Sequence, residues 1–206
     1  MLLIGLTGSI GMGKSTAAKR FRALGIPVCD ADAEVHRLYG GGGAAVAPIE
    51  AAFPGTTGPA GVDRVKLGAQ LLADPMGFKR LESIVHPLVF AAERDFLHAM
   101  AAQGSLLVVL EIPLLLEGKG TPRVDVVVVV SAPADVQRAR VLARAGMTEP
   151  KFEQIVARQL PDAKKRARAD YVVDTGGPIP QTEARIDAIV AELRGRVGTA
   201  FETYWV

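Results

Sequence analysis

Residues 8–15, Gly8-Ser9-Ile10-Gly11-Met12-Gly13-Lys14-Ser15, satisfy the pattern G-x-x-x-x-G-K-[ST] at every fixed position. Each fixed type has a task at a polyphosphate. Glycines let backbone N–H groups curl around phosphate oxygens, and a helix that starts there turns its positive end toward them. Lys14 is placed to reach the terminal phosphates, and the Ser15 hydroxyl to ligate Mg²⁺. The competing reading is a glycine-rich turn with an incidental lysine. Position weighs against it, because an apolar run from Leu2 to Thr7 precedes the glycines and a helical pattern to Leu24 follows them. The chain contains no asparagine, so it lacks the Asn-Lys-x-Asp motif with which a guanine-nucleotide switch reads its base.

Carboxylates form the second group. Asp30 and Asp32 follow a short apolar strand, Ile26 to Cys29, and Glu111 closes another, Leu106 to Leu110. Ligands of open α/β sheets bind along the carboxyl edge of the strands. A carboxylate there can take a proton from an attacking hydroxyl or organise Mg²⁺. Asp30 suits a helix cap as well as it suits catalysis. Glu111 is a second candidate for organising Mg²⁺, against a solvated strand end.

The elements that must position these groups alternate. Strands are expected at 2–7, 26–29, 106–110, 124–130 and 171–173, and helices at 13–24, 34–39, 133–145, 150–160 and 182–196. The stretch from Ala44 to Gln103 reads as mainly helical, broken at Pro54 to Gly61 and near Pro75 and Pro87. Gly40 to Gly43 reads as a flexible hinge or loop. This pattern predicts an α/β three-layer fold with a parallel central sheet.

The chain has 206 residues with a net charge of +2 and one cysteine, Cys29. That length suits one domain, or one with a mobile appendage. A lone cysteine excludes an intrachain disulfide and points to a reducing, cytoplasmic setting. The most apolar later run, Val124 to Val130, is too short to span a bilayer, so no membrane partner is expected. His36, His98 and Cys29 have no metal-ligand spacing. Nothing in the sequence specifies an oligomeric state.

Charge is segregated. Residues 138–168 carry nine basic and three acidic side chains, net +6. Arg140 and Arg144, four apart, would share a helix face, and a flap carrying them could close on a polyphosphate. A solvated face would account for some of Lys164 to Arg168. A nucleic-acid patch is disfavoured, since Phe152 is the only aromatic residue in the segment.

In their order along the chain, several blocks resemble the dephospho-coenzyme A kinase family. They are Gly5 to Thr16, Asp30-Ala31-Asp32, His86-Pro87-Leu88-Val89, Glu111-Ile112-Pro113-Leu114-Leu115-Leu116-Glu117, the Arg140/Arg144 pair, Gln159, and Ala169 to Asp174. Ser9 stands where that family usually has glycine, and Thr175 where it has asparagine.

The resemblance implies a P-loop kinase domain over about residues 2–200, with a helical CoA-binding region near 31–103 and a lid near 138–168. It implies transfer of the ATP γ-phosphoryl group to the ribose 3′-hydroxyl of dephospho-CoA, with Mg²⁺. Gly11, Met12, Gly13, Lys14, Ser15 and Thr16 would hold ATP. Asp32 would be the general base, Arg140 a lid arginine beside the transferring group, and Asp32, His86 and Glu111 would contact the acceptor. His86 reads equally as a helix-boundary residue beside Pro87. The rivals are another P-loop small-molecule or nucleoside monophosphate kinase, and a non-catalytic ATP-binding switch or nucleic-acid-associated ATPase.

Overall fold

All six residues of Leu2–Thr7 (β1) are buried in the computed structural model, which describes residues 1–118 and 123–206. A strand without polar alternation must be covered on both faces. The chain continues through Lys14–Ala23 (α1) to Val28–Asp30 (β2). It then forms Ala31–Tyr39 (α2), Val46–Ala52 (α3), the two-residue strands Thr57–Gly58 (β3) and Gly61–Val62 (β4), Arg64–Ala73 (α4) and Gly77–Ala102 (α5). Next come Leu107–Glu111 (β5), Val126–Ser131 (β6), Ala134–Leu142 (α6), Glu149–Ala157 (α7) and Asp162–Arg166 (α8). Tyr171–Asp174 (β7), Ile179–Leu193 (α9) and Ala200–Tyr204 (α10) complete it.

Two compact units result. One comprises residues Met1–Cys29 and Leu97–Val206, the other Asp30–Phe96. The main sheet has the order β2-β5-β1-β6-β7, and its β1–β5, β1–β6 and β6–β7 pairings are parallel. Its core joins Ile4, Leu6, Val109, Val128 and Val130 of the strands to Phe21 of α1 and Ile186, Ile189 and Leu193 of α9. Arg20 and Asp187 tie α1 to α9 through two hydrogen bonds of 2.7 and 2.5 Å, and this pairing holds the Asp187 carboxyl below its ordinary pKa. The second unit has its own core of Leu38, Ile49, Phe53, Leu67, Leu71 and Val85.

Several boundaries differ from the sequence expectation, each for a local reason. The strand expected from Val124 begins at Val126, because Asp125 is committed elsewhere. Its Oδ2 accepts the Leu3 N–H at 2.8 Å, and its Oδ1 accepts those of Thr199 and Ala200 at 2.7 and 2.9 Å. Asp125 thereby anchors the start of α10. Trp205, just past that helix, is buried and donates its indole N–H to the Arg123 carbonyl at 2.9 Å.

No break occurs at Pro87, since α5 runs through it for 26 residues. Proline removes one intrahelical donor and crowds the preceding turn, but apolar packing on both sides (Val85 in the core, Leu88 and Val89 against it) holds the helix together. Arg144 lies beyond the end of α6 at Leu142, so it does not share a helix face with Arg140. The glycine run is a tight turn rather than a loose hinge. A Cβ on Gly41 would stand 2.6 Å from the Pro59 carbonyl oxygen, and one on Gly43 would stand 2.2 Å from that of Leu38.

Candidate active site

The carboxyl end of β1 delivers the chain into the glycine-rich loop, which feeds α1. That helix opens at Gly13, whose φ of 83° is left-handed and which, as a glycine, has no side chain with which to cap it. A helix start entered from glycine-rich loop backbone is an anion site in form. Lys14, on its first turn, donates from Nζ to the Gly8 carbonyl at 3.3 Å. Ser15 follows with an exposed side chain. Met12 instead turns inward: it is 3% exposed, and its Sδ accepts the Ala132 N–H at 3.1 Å.

Among the described residues, Gln137, Gln159 and Thr175 hold this loop from outside the motif, and Gln159 belongs to the blocks carrying the sequence resemblance. Gln137 of α6 donates from Nε2 to the Ile10 carbonyl at 2.8 Å, and Gln159 accepts the Ile10 N–H at 3.0 Å. Both backbone groups of Ile10 are therefore fixed by glutamine carboxamides. Thr175, just past β7, donates from Oγ1 to the Met12 carbonyl at 2.9 Å and toward that of Ser131 at 3.2 Å. Thr175 thus faces the phosphate loop. The one sequence signal for Gln137 is its place on α6, one turn before Arg140.

Arg140 reaches the same place. Its guanidinium donates to the Thr175 carbonyl at 2.6 Å and to Thr175 Oγ1 at 3.3 Å. Lys14, Ser15 and Arg140 are consequently gathered about the start of α1, with Thr175 as the link. Arg138 faces the other way and forms a two-point ion pair with Glu149 of α7. Glu111, the last residue of β5, is 6% exposed, which excludes a solvated strand end. It lies in register with Leu6 of β1.

A cavity of about 340 Å³ lies beside the loop, lined by Ser9, Met12, Gln137, Gln159, Leu160 and Asp162 among others. A larger one of about 430 Å³ lies at the amino ends of the strands, against Met1, Pro27, Leu107 and Arg194. The second is on the wrong side of the sheet for phosphate chemistry, since ligands of open α/β sheets bind at the carboxyl edge.

Asp32 and His86 belong to the second unit. Asp30 is the cap of α2: its Oδ1 accepts the N–H groups of Asp32 and Ala33 at 3.0 and 3.1 Å. The Asp32 side chain is exposed and has no partner among the described residues. Thus one carboxylate of the pair is consumed by local structure and the other is left available. His86 is exposed on α5, immediately before Pro87.

Comparison with known proteins decides the family. The family model described as dephospho-CoA kinase matches residues 2–181. The chain belongs to the dephospho-CoA kinase family. A dephospho-CoA kinase from Rhizobium etli is 56% identical over 197 residues, covering 96% of each chain. One from Mesorhizobium japonicum is 54% identical, covering 97% of this chain and all of its own. Among solved structures, a Thermus thermophilus protein superposes with a TM-score of 0.80 at 34% identity, covering 94% of this chain and 98% of its own. The chain is an enzyme, a kinase of the dephospho-CoA kinase class on a P-loop fold. No helix among its described residues is long and apolar enough to cross a membrane.

Proposed function

We propose that this kinase transfers the γ-phosphoryl group of ATP to the ribose 3′-hydroxyl of dephospho-CoA, giving ADP and coenzyme A, with ATP seated on residues 11–16. This is the final step of coenzyme A biosynthesis. The observation that carries the ATP assignment is the glycine-rich loop opening into α1 at left-handed Gly13, with Lys14 and Ser15 on its first turn and Arg140 drawn in through Thr175. Such a cluster stabilises charge that spreads over the phosphoryl oxygens in the transition state.

The donor set also suits Mg²⁺, which takes few protein ligands and keeps phosphate oxygens and water around it. No cluster of three side-chain ligands is found among the described residues. The exposed Ser15 hydroxyl would hold the ion, with the buried Glu111 carboxyl to organise its surroundings. When bound, the ion would supply positive charge to offset the negative charge that develops on the phosphoryl group.

Asp32 is our general base, because its carboxylate is the one in the Asp30/Asp32 pair not spent on capping α2. The helical unit at 30–96 is proposed to grip the acceptor, with His86 among its contacts. Residues 138–168 act as the lid. A cytoplasmic setting is part of the same proposal and accords with the free thiol of Cys29.

Incubation with ATP, Mg²⁺ and either dephospho-CoA or a panel of nucleoside monophosphates tests the acceptor. ADP should form only with dephospho-CoA. Efficient turnover of a nucleoside monophosphate alone, or hydrolysis stimulated by DNA or RNA without an acceptor, would refute the assignment. At residue level, Arg140→Ala should lower kcat by at least about tenfold with a smaller change in KM for ATP. An unchanged kcat would remove the arginine from the transition-state role.

A further inference from the structure

Lys165 is fully buried, although it lies on α8 in the most basic stretch of the chain, where a solvated face is expected. Its Nζ stands 2.7 Å from Glu117 Oε1, a charge contact rather than an aligned hydrogen bond. Glu117 comes from the connection that follows β5, so the contact joins two distant parts of the chain. The same Oε1 accepts the Leu160 N–H at 2.9 Å. Leu160 adjoins Gln159, whose carboxamide accepts the Ile10 N–H of the phosphate loop at 3.0 Å. Nearby, Arg168 donates to the Leu116 carbonyl at 3.2 Å, and Ser131 donates to Asp162 Oδ2 at 2.8 Å.

We propose that the Lys165–Glu117 pair is a positioning device for the phosphate loop, acting through Leu160 and Gln159 on Ile10. The physical case begins with cost. An ammonium and a carboxylate taken out of water lose hydration that their mutual attraction only just restores, and an apolar pair of similar volume often does as well. Glu117 Oε2, Asp162 Oδ1 and Lys165 Nζ have no hydrogen-bond partner among the described residues, so this pair is an inefficient stabiliser. What it does supply is a fixed point. One carboxylate oxygen receives both the charge of α8 and the backbone of the segment bearing Gln159, and thereby sets where that carboxamide can stand. Ile10, held on its other side by Gln137, then presents the loop in one conformation. Neither residue of the pair has a contact with the phosphate-loop residues in this chain of interactions, so they position the site and do not take part in the chemistry.

The proposal rests on ATP occupying the phosphate loop. Its test compares the full-length parent, Gln159→Ala, the double variant Glu117→Leu/Lys165→Met, and the triple combination. ATP binding is followed by calorimetry, steady-state kinetics by ADP release, and stability by thermal melting. The double variant should melt close to the parent, yet bind ATP about five- to tenfold more weakly. Gln159→Ala should show a similar loss, and the triple variant no further one, because all act through one link. KM for ATP should rise more than kcat falls.

Parent-like ATP affinity in the double variant, or losses that simply add in the triple, would overturn the positioning role. Should the double variant fail to fold, Gln159→Ala still decides, since an unchanged affinity there breaks the proposed chain. Failure of the parent itself to bind ATP would instead overturn the nucleotide assignment, and this role with it.

Discussion

Asp32→Asn should reduce kcat by about 10²- to 10⁴-fold while leaving ATP affinity nearly unchanged. The substitution preserves size and hydrogen-bonding capacity but removes the basic oxygen that would accept the proton of the attacking ribose hydroxyl. Stability should hardly move, because the Asp32 side chain is exposed and has no partner among the described residues. Asp30→Asn provides the comparison. Asparagine caps a helix about as well as aspartate, so the bonds to the N–H groups of Asp32 and Ala33 should survive and turnover should stay near the parent value. Stopped-flow or coupled assays with saturating ATP and dephospho-CoA measure both. Near-parent kcat in Asp32→Asn, with a collapse in Asp30→Asn or Glu111→Gln, would move the base to that residue.

Gly13→Ala should weaken ATP binding on the order of 10²-fold. Two costs coincide at this position. A left-handed conformation is unfavourable for a residue with a Cβ by about 1–2 kcal/mol, and the φ here is 83°. The added carbon would also stand 3.0 Å from both Cβ and Oγ1 of Thr175. Thr175 cannot yield freely, because its hydroxyl is bonded to the Met12 carbonyl and its own carbonyl to Arg140. The loop must shift instead, and the start of α1 moves with it. Gly25→Ala separates the two costs. Its φ is 77°, but nothing lies within 4 Å of the added carbon and it is remote from the loop in the chain. It should lower the melting temperature modestly and leave ATP affinity intact. Equal ATP affinities for parent and Gly13→Ala, by calorimetry, would show that the loop tolerates the shift.

Much of the architecture is legible in local patterns. Unbroken apolar runs mark β1, β5 and β6, since a strand buried on both faces needs no polar positions. The phosphate loop is legible because its function is performed by backbone, and only glycine supplies the required geometry there. Pro87 shows the limit of this logic. A local rule predicts a break, while the core contacts of Val85, Leu88 and Val89 outweigh it. Asp30 and Asp32 show another. Both are carboxylates at one strand end, and capping geometry, which depends on the following backbone, distinguishes them.

By itself, then, the sequence determined the phosphate loop, the parallel sheet that carries it, the acidic step after the second strand and the family to which these blocks belong. Those features are contiguous, and their meaning lies in residue type and spacing. Tertiary structure alone decided that Gln137 and Gln159 grip Ile10, that Thr175 links Arg140 to Met12, and that Lys165 is buried against Glu117. Each joins residues between 35 and 163 positions apart, or a charge to a partner in another connection. A contact of that kind has no local signature, because the polar side chain in each reads alone as an ordinary surface residue and its partner lies far along the chain.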